Sequence, residues 1–179
     1  MKLGLIVLVL GIVACDAGAP PKPTPSPPAP TVPAPPPVKK LPPPTPHPHE
    51  VLATLQRTAC YGRCPIYVVT VYRDGVVEFV GDQYVKTKGK ATGQITLAQV
   101  DAIEDLFVKN HYTTLRDSYE DMQVTDMPSA NSSYRSLDGH VKHVGHYYGD
   151  RDAPEILGTI EDGLDTRVNI DQWVGRGSR

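Results

Sequence analysis

Residues 66–81 read IYVVTVYRDGVVEFVG, and their pattern decides the fold. The first eight are dense in β-branched and aromatic side chains, then come Asp74 and Gly75, then a second run of strand formers, VVEFVG. Two such runs parted by Asp-Gly predict a β-hairpin, with a type I′ turn expected because that turn places both central residues at positive φ. The device recurs downstream, where SYRSL, Asp138-Gly139 and HVKHVGHYY predict a second hairpin. Upstream, VLATLQRT (51–58) alternates apolar and polar residues as a strand does, and ATGQI (91–95) predicts one more.

Helix signals follow each hairpin. Thr96 with Gln99 three residues on makes a capping box, after which Leu97, Val100, Ile103 and Phe107 recur at helical spacing and Lys109 and Asn110 close the end. A second helix is expected to start at Asp152, with Glu155 three residues later and a stripe of Ile156, Ile160, Leu164 and Val168. Gly158 and Gly163 each cost that helix about 1 kcal/mol against alanine, so it must lean on packing. The order of elements predicts an α+β fold: a mainly antiparallel sheet built from two hairpins plus one or two further strands, with two helices packed on one face.

The chain ahead of this domain has a different character. Lys2 precedes an unbroken apolar run over residues 3–13, too short for a bilayer span of about 20 residues and arranged as a secretory signal. Its last positions, Ile12-Val13-Ala14-Cys15, resemble the bacterial lipobox, which makes residues 1–14 a lipoprotein signal peptide and Cys15 the lipidated mature N-terminus. Two or three acyl chains there give a durable anchor, because each buried methylene contributes about 0.8 kcal/mol. Sixteen of the 19 prolines then fall within residues 15–50, a segment with little to bury, read as a disordered tether. At about 3.1 Å per residue in polyproline II it reaches up to roughly 100 Å from the lipid. These features predict a lipid-anchored protein of the bacterial cell envelope, at the outer or inner membrane and facing the periplasm or the surface. Residues 51–174 make one domain, and residues 175–179 a disordered tail. Acidic residues outnumber basic ones, 20 to 18, and no basic run occurs, which argues against nucleic acid as a partner.

Within the domain, LQRTACYGRCPIYVVTVYRDGVVEFVG, LRDSYEDMQVTDMPS, KHVGHYYGDRDAPEILGTIEDGLD and the closing DQW resemble the DUF6438 family of bacterial domains. The resemblance covers nearly the whole domain, leaves out the signal and tether, and rests on separated motifs in the right order. It implies an exported protein or lipoprotein, and no activity is carried over.

Cys60 and Cys64 are the two cysteines of the mature domain apart from the anchor, and in an oxidising compartment an even pair is read first as a disulfide. A redox centre, which prefers two intervening residues opening a helix, and a metal clip, which needs four ligands, are the alternatives. His140, His143 and His146 do not make a metal site, since strand alternation turns His143 to the other face and places the outer two about 20 Å apart. No metal and no cofactor is expected. The loop LRDSYEDMQVTDMPSANSS (115–133) is long for a compact domain, and such loops often bind. It and the second hairpin offer Asp117, Tyr119, Thr125, Asp126, His146 and Tyr148 as candidate binding residues. The expected function is a non-catalytic module that binds an envelope protein, a glycan or peptidoglycan. The alternative is a small hydrolase-like enzyme using Asp126 with His146, or a thiol redox enzyme using the cysteine pair. No nucleophile elbow, zinc-protease motif or phosphate loop accompanies those residues.

Overall fold

The computed structural model describes residues 49–121 and 125–175. The expected signal peptide, the lipidation site Cys15, the tether up to residue 48 and the tail from residue 176 lie outside the described residues, as do residues 122–124 of the loop.

Among the described residues, seven strands form one sheet. In chain order they are β1 (Val51–Arg57), β2 (Tyr67–Tyr72), β3 (Val76–Gly81), β4 (Gly89–Gln94), β5 (Ser118–Tyr119), β6 (Ser129–Arg135) and β7 (Val141–Tyr147), with α1 (Leu97–Lys109) after β4 and α2 (Ile156–Arg167) and α3 (Asp171–Val174) after β7. Their spatial order is β4-β3-β2-β1-β6-β7-β5. All neighbours are antiparallel except β5, which pairs parallel to β7. The first four strands are a meander, α1 leads from the β4 edge toward β5 at the other edge, and the β6–β7 hairpin fills the space beside β1. This is the α+β architecture the sequence predicts.

Alternation along the strands puts one face into the core. Leu55 stands opposite Val69 on one side and Ser132 on the other, and Val69 stands opposite Phe79. A register shift near the start of β1 lets Leu52 and Ala53 both be buried despite being consecutive. The helices cover this face: Val100, Ile103, Leu106 and Phe107 of α1 and Leu157, Ile160 and Leu164 of α2 join the strand residues in a single core. Burying each such side chain contributes about 1.5–3 kcal/mol. Phe79 stacks on Trp173 of α3, and Phe107 stacks on Tyr134.

Four local expectations are corrected. Both hairpin turns place only the glycine at positive φ, Gly75 at 83° and Gly139 at 86°. Each is a type I turn closed by a left-handed glycine: Gly75 N–H donates to Tyr72 O and Gly139 N–H to Ser136 O. In each the aspartate carboxylate accepts from the N–H two residues on, Asp74 from Val76 and Asp138 from His140, which favours negative φ at the aspartate. Second, α2 begins at Ile156 and not at Asp152, because Pro154 disfavours the helical region at Ala153, and the Asp152 N–H is taken by the Asp150 side chain in a turn. Its buried stripe runs through Leu157, with Ile156 only half-buried. Third, Leu97 at the start of α1 is 65% exposed, so the core stripe begins at Val100, while the Thr96–Gln99 capping box forms as expected. Fourth, β6 starts at Ser129 and β5 occupies residues 118–119, so both ends of the stretch expected as a loop hold strands.

Candidate functional site

The register places five residues in one row across the core face, at one end of the sheet. Arg57 of β1 stands opposite Tyr67 of β2 and Ala130 of β6, Ala130 stands opposite His146 of β7, and Tyr119 of β5 stands beside His146. Arg57 thus continues the inward phase of Ala53 and Leu55, which would leave a charge in the core unless something met it. Helix α2 meets it with Asp162 and Asp165, and brings Glu161 to Tyr148 and His146 beside it.

Asp165 is fully buried and accepts from Arg57 Nε at 3.1 Å and Nη2 at 2.8 Å, while the Tyr67 hydroxyl donates to both carboxylate oxygens at 2.9 and 2.8 Å. Arg57 Nη2 also reaches Asp162 at 2.8 Å, and Nη1 donates to the Tyr148 hydroxyl. The Tyr148 hydroxyl donates onward to Glu161 Oε2 at 2.7 Å, and Glu161 Oε1 lies 2.9 Å from His146 Nδ1. The result is one continuous network, Tyr67–Asp165–Arg57–Tyr148–Glu161–His146, in which each buried carboxylate has charged or hydroxyl partners. Such groups are tolerable in a core only when paired in this way. Burial opposes the charge of Arg57, but Asp165 and the oxygens of Tyr148 and Tyr67 outweigh it and hold its pKa above the ordinary value. Burial, helped by the Asp165 charge, pushes the Tyr67 phenol up. Burial and Glu161 do the same for Tyr148, with Arg57 acting against them.

Above this network lies a cleft of about 590 Å³, within the range of small-ligand sites. Arg57, Tyr67, Tyr148 and Asp162 form its floor and one wall; Arg63, Cys64 and Pro65 form another; Thr58, Pro128, Ser129 and Gly158 complete it. Cys60 and Cys64 form a disulfide, so Arg63 and the exposed Tyr61 sit on a covalently closed loop at the rim. That loop is tied down by Tyr61 N–H to Asp126 O at 3.2 Å, and the chain after it by Ile66 N–H to Gln83 O at 2.9 Å. Pro128 is held by its carbonyl, which accepts from Tyr148 N–H at 3.0 Å, and Ser129 N–H donates to the Thr58 hydroxyl at 2.8 Å. A smaller hollow of about 330 Å³ lies on the opposite face, between Gln56, Asn131 and His143.

The six candidate binding residues are distributed unevenly around this site. Tyr148 lines the cleft. His146, 8% exposed, lies behind Tyr148, with the rings T-shaped at 4.7 Å, and the carboxylate at its Nδ1 is that of Glu161. Asp126 is exposed; the Thr125 hydroxyl lies 3.5 Å from its carboxylate, and its backbone carbonyl braces the disulfide loop. Tyr119 is buried, with its hydroxyl accepting from Arg116 N–H and the Arg116 guanidinium 4.3 Å over its ring. The exposed Asp117 pairs with the largely covered Lys142, whose ammonium holds the Asp117 carboxyl below the usual range. His143 faces away from His146, as alternation requires.

Arg57, Arg63, Glu161, Asp162 and Asp165 were not among the residues singled out from sequence. A signal existed: Arg57 extends an inward strand phase, and Glu161 and Asp165 follow Ile160 and Leu164 by one position each, inside the apolar stripe of α2.

No curated protein and no solved structure matches the chain. A family model described as a domain of unknown function, DUF6438, matches residues 51–168. That span holds every residue of the cleft and of the network beneath it. The match covers well over half of the chain, which belongs to the DUF6438 family.

Proposed function

We propose that this domain is a non-catalytic binding module of the bacterial cell envelope. In this reading it is lipid-anchored through Cys15, held off the membrane by the proline-rich tether, and takes its envelope partner in the cleft under the Cys60–Cys64 loop. The anchoring half rests on the sequence: the apolar run, the lipobox-like Ile-Val-Ala-Cys and the proline density. The binding half rests on one observation, a cleft whose floor is a guanidinium already fixed by Asp165, Asp162 and Tyr148. A group held in place before the ligand arrives loses little entropy on binding. Turnover is disfavoured because Cys64, the thiol residue in the cleft wall, is spent in the disulfide, and His146 with Glu161 is screened from the cleft by Tyr148. Among the candidate residues, Tyr148 touches the ligand, while Asp126 and His146 support the loop and the floor.

Gly158 supplies the test. It lines the cleft, and a Cβ built there meets nothing within 4 Å, so a side chain can start from this position, and Gly158→Phe places a large ring at the cleft wall. Crosslinking of tagged protein in cells should capture envelope partners with the parent and lose them with Gly158→Phe at equal abundance. An unchanged crosslinking pattern removes the cleft from the proposal.

A further inference from the structure

We infer that the cleft takes a peptide segment by a carboxylate group, gripped by Arg63 and by the one N–H of Arg57 that the fold leaves over. The inference rests on the cleft being the binding site and adds the chemistry of its occupant.

Hydrogen-bond accounting carries the argument. Arg57 has five N–H groups. Nε is used by Asp165, both hydrogens of Nη2 by Asp162 and Asp165, and one of Nη1 by Tyr148, which leaves one. Its charge is answered twice, by Asp162 and Asp165. Arg63 differs: its guanidinium lies over the Tyr84 ring at 5.7 Å, and among the described residues no carboxylate pairs with it. The unspent capacity of the cleft is therefore rich in donors and carries an unanswered positive charge on Arg63. A planar carboxylate matches a guanidinium fork in geometry and charge.

The rest of the surface suits a peptide. Pro65, Pro128 and the Tyr148 ring give apolar walls, and about 590 Å³ fits a few residues and no folded domain. At the rim Tyr61 is 89% exposed and Met127 is 44% exposed; the Tyr61 N–H bond to Asp126 O brings the two chain segments together. The disulfide fixes Tyr61 and Arg63 on one short ring, presenting an aromatic anchor and a charge at little entropic cost. A neutral glycan would stack on Tyr61 but leave the charge of Arg63 unanswered.

Calorimetric titration of the full chain in detergent tests this with four probes: N-acetyl-Ala-Ala-Phe as the free acid, the same peptide as its C-terminal amide, N-acetyl-Ala-Glu-Phe amide, and chitotriose. A carboxylate-bearing peptide should bind, and the uncharged amide should bind about tenfold or more weakly, the loss expected for a charge-assisted hydrogen bond. Binding of the free acid alone assigns the C-terminus as the source, and binding of the Glu peptide assigns an acidic side chain. Arg63→Gln should cost the acid a similar factor and leave the amide unchanged, and Arg63→Lys should recover part. Neither carboxylate peptide binding more tightly than the uncharged amide, no effect of Arg63→Gln on the one that does, no peptide binding, or binding of chitotriose in place of the peptides overturns the inference. Loss of cellular partners with Gly158→Phe alongside equal binding of all three peptides would keep the cleft as the site and discard only the carboxylate.

Discussion

Arg57 and Asp165, 108 residues apart in the chain, meet through two hydrogen bonds to a single carboxylate oxygen, from Nε at 3.1 Å and Nη2 at 2.8 Å. Each is the other's main compensation for being out of water. Removing one partner strands the other, which costs about 3–5 kcal/mol, whereas replacing both with apolar groups of similar size costs far less. Asp165→Leu and Arg57→Met should each lower the urea midpoint sharply. Arg57→Met with Asp165→Leu should lose much less than the sum of the single changes, and strict additivity in that double-mutant cycle would show that the pair is not coupled.

The two glycines of α2 should respond in opposite senses. Gly158→Ala meets open space and gains helix propensity, raising stability by up to about 1 kcal/mol. At Gly163 a new Cβ would lie 2.9 Å from Leu106 Cδ2 of α1 and 3.0 Å from Arg167 Nη1. Gly163→Ala should rank below Gly158→Ala by at least about 1 kcal/mol in chemical unfolding, the typical cost of overpacking.

Alkaline pH should unfold the domain through its buried tyrosines. The phenols of Tyr67 and Tyr148 are both raised above the ordinary value, chiefly by burial. The folded state therefore holds these protons to a higher pH than the unfolded chain does. Stability is present in full below the ordinary tyrosine pKa of about 10 and falls as pH rises beyond it, by up to about 1.4 kcal/mol per pH unit for each such group. Unfolding curves across this range should show that slope, and Tyr67→Phe should make it shallower. A stability flat from neutral pH through the alkaline range would contradict the assignment.

Opening the Cys60–Cys64 ring should cost stability and affinity separately. Replacing both cysteines with serine removes a short loop closure worth about 2 kcal/mol in the chain-entropy model. It also frees Arg63 and Tyr61, so the affinity for the free-acid peptide should drop even at temperatures where the domain stays fully folded. Unchanged peptide affinity in the folded double variant would separate the disulfide from ligand capture.

Most of the elements were legible in the chain, because the forces that make them are local; β5 and the first residues of β6, which pair with distant strands, were not. Both Asp-Gly turns, the alternating strands, the Thr96 capping box and the helix stripes depend on residues within a few positions of one another. The start of α2 is also set locally: Pro154 restrains Ala153, and this outweighs the favourable spacing of Asp152 and Glu155. The pairing order was a different matter. Nothing near Arg57 says that β1 lies between β2 and β6, or that α2 crosses the sheet at the end of that strand. Only the tertiary structure brought Arg57 to Asp165 and Tyr148, gave His146 the partner Glu161, and raised the disulfide loop over them as the wall of a cleft. The physical reason is that burying a charge is tolerable only where its counter-charge is buried with it. That counter-charge is chosen by packing across about a hundred residues of chain, beyond the reach of any local pattern.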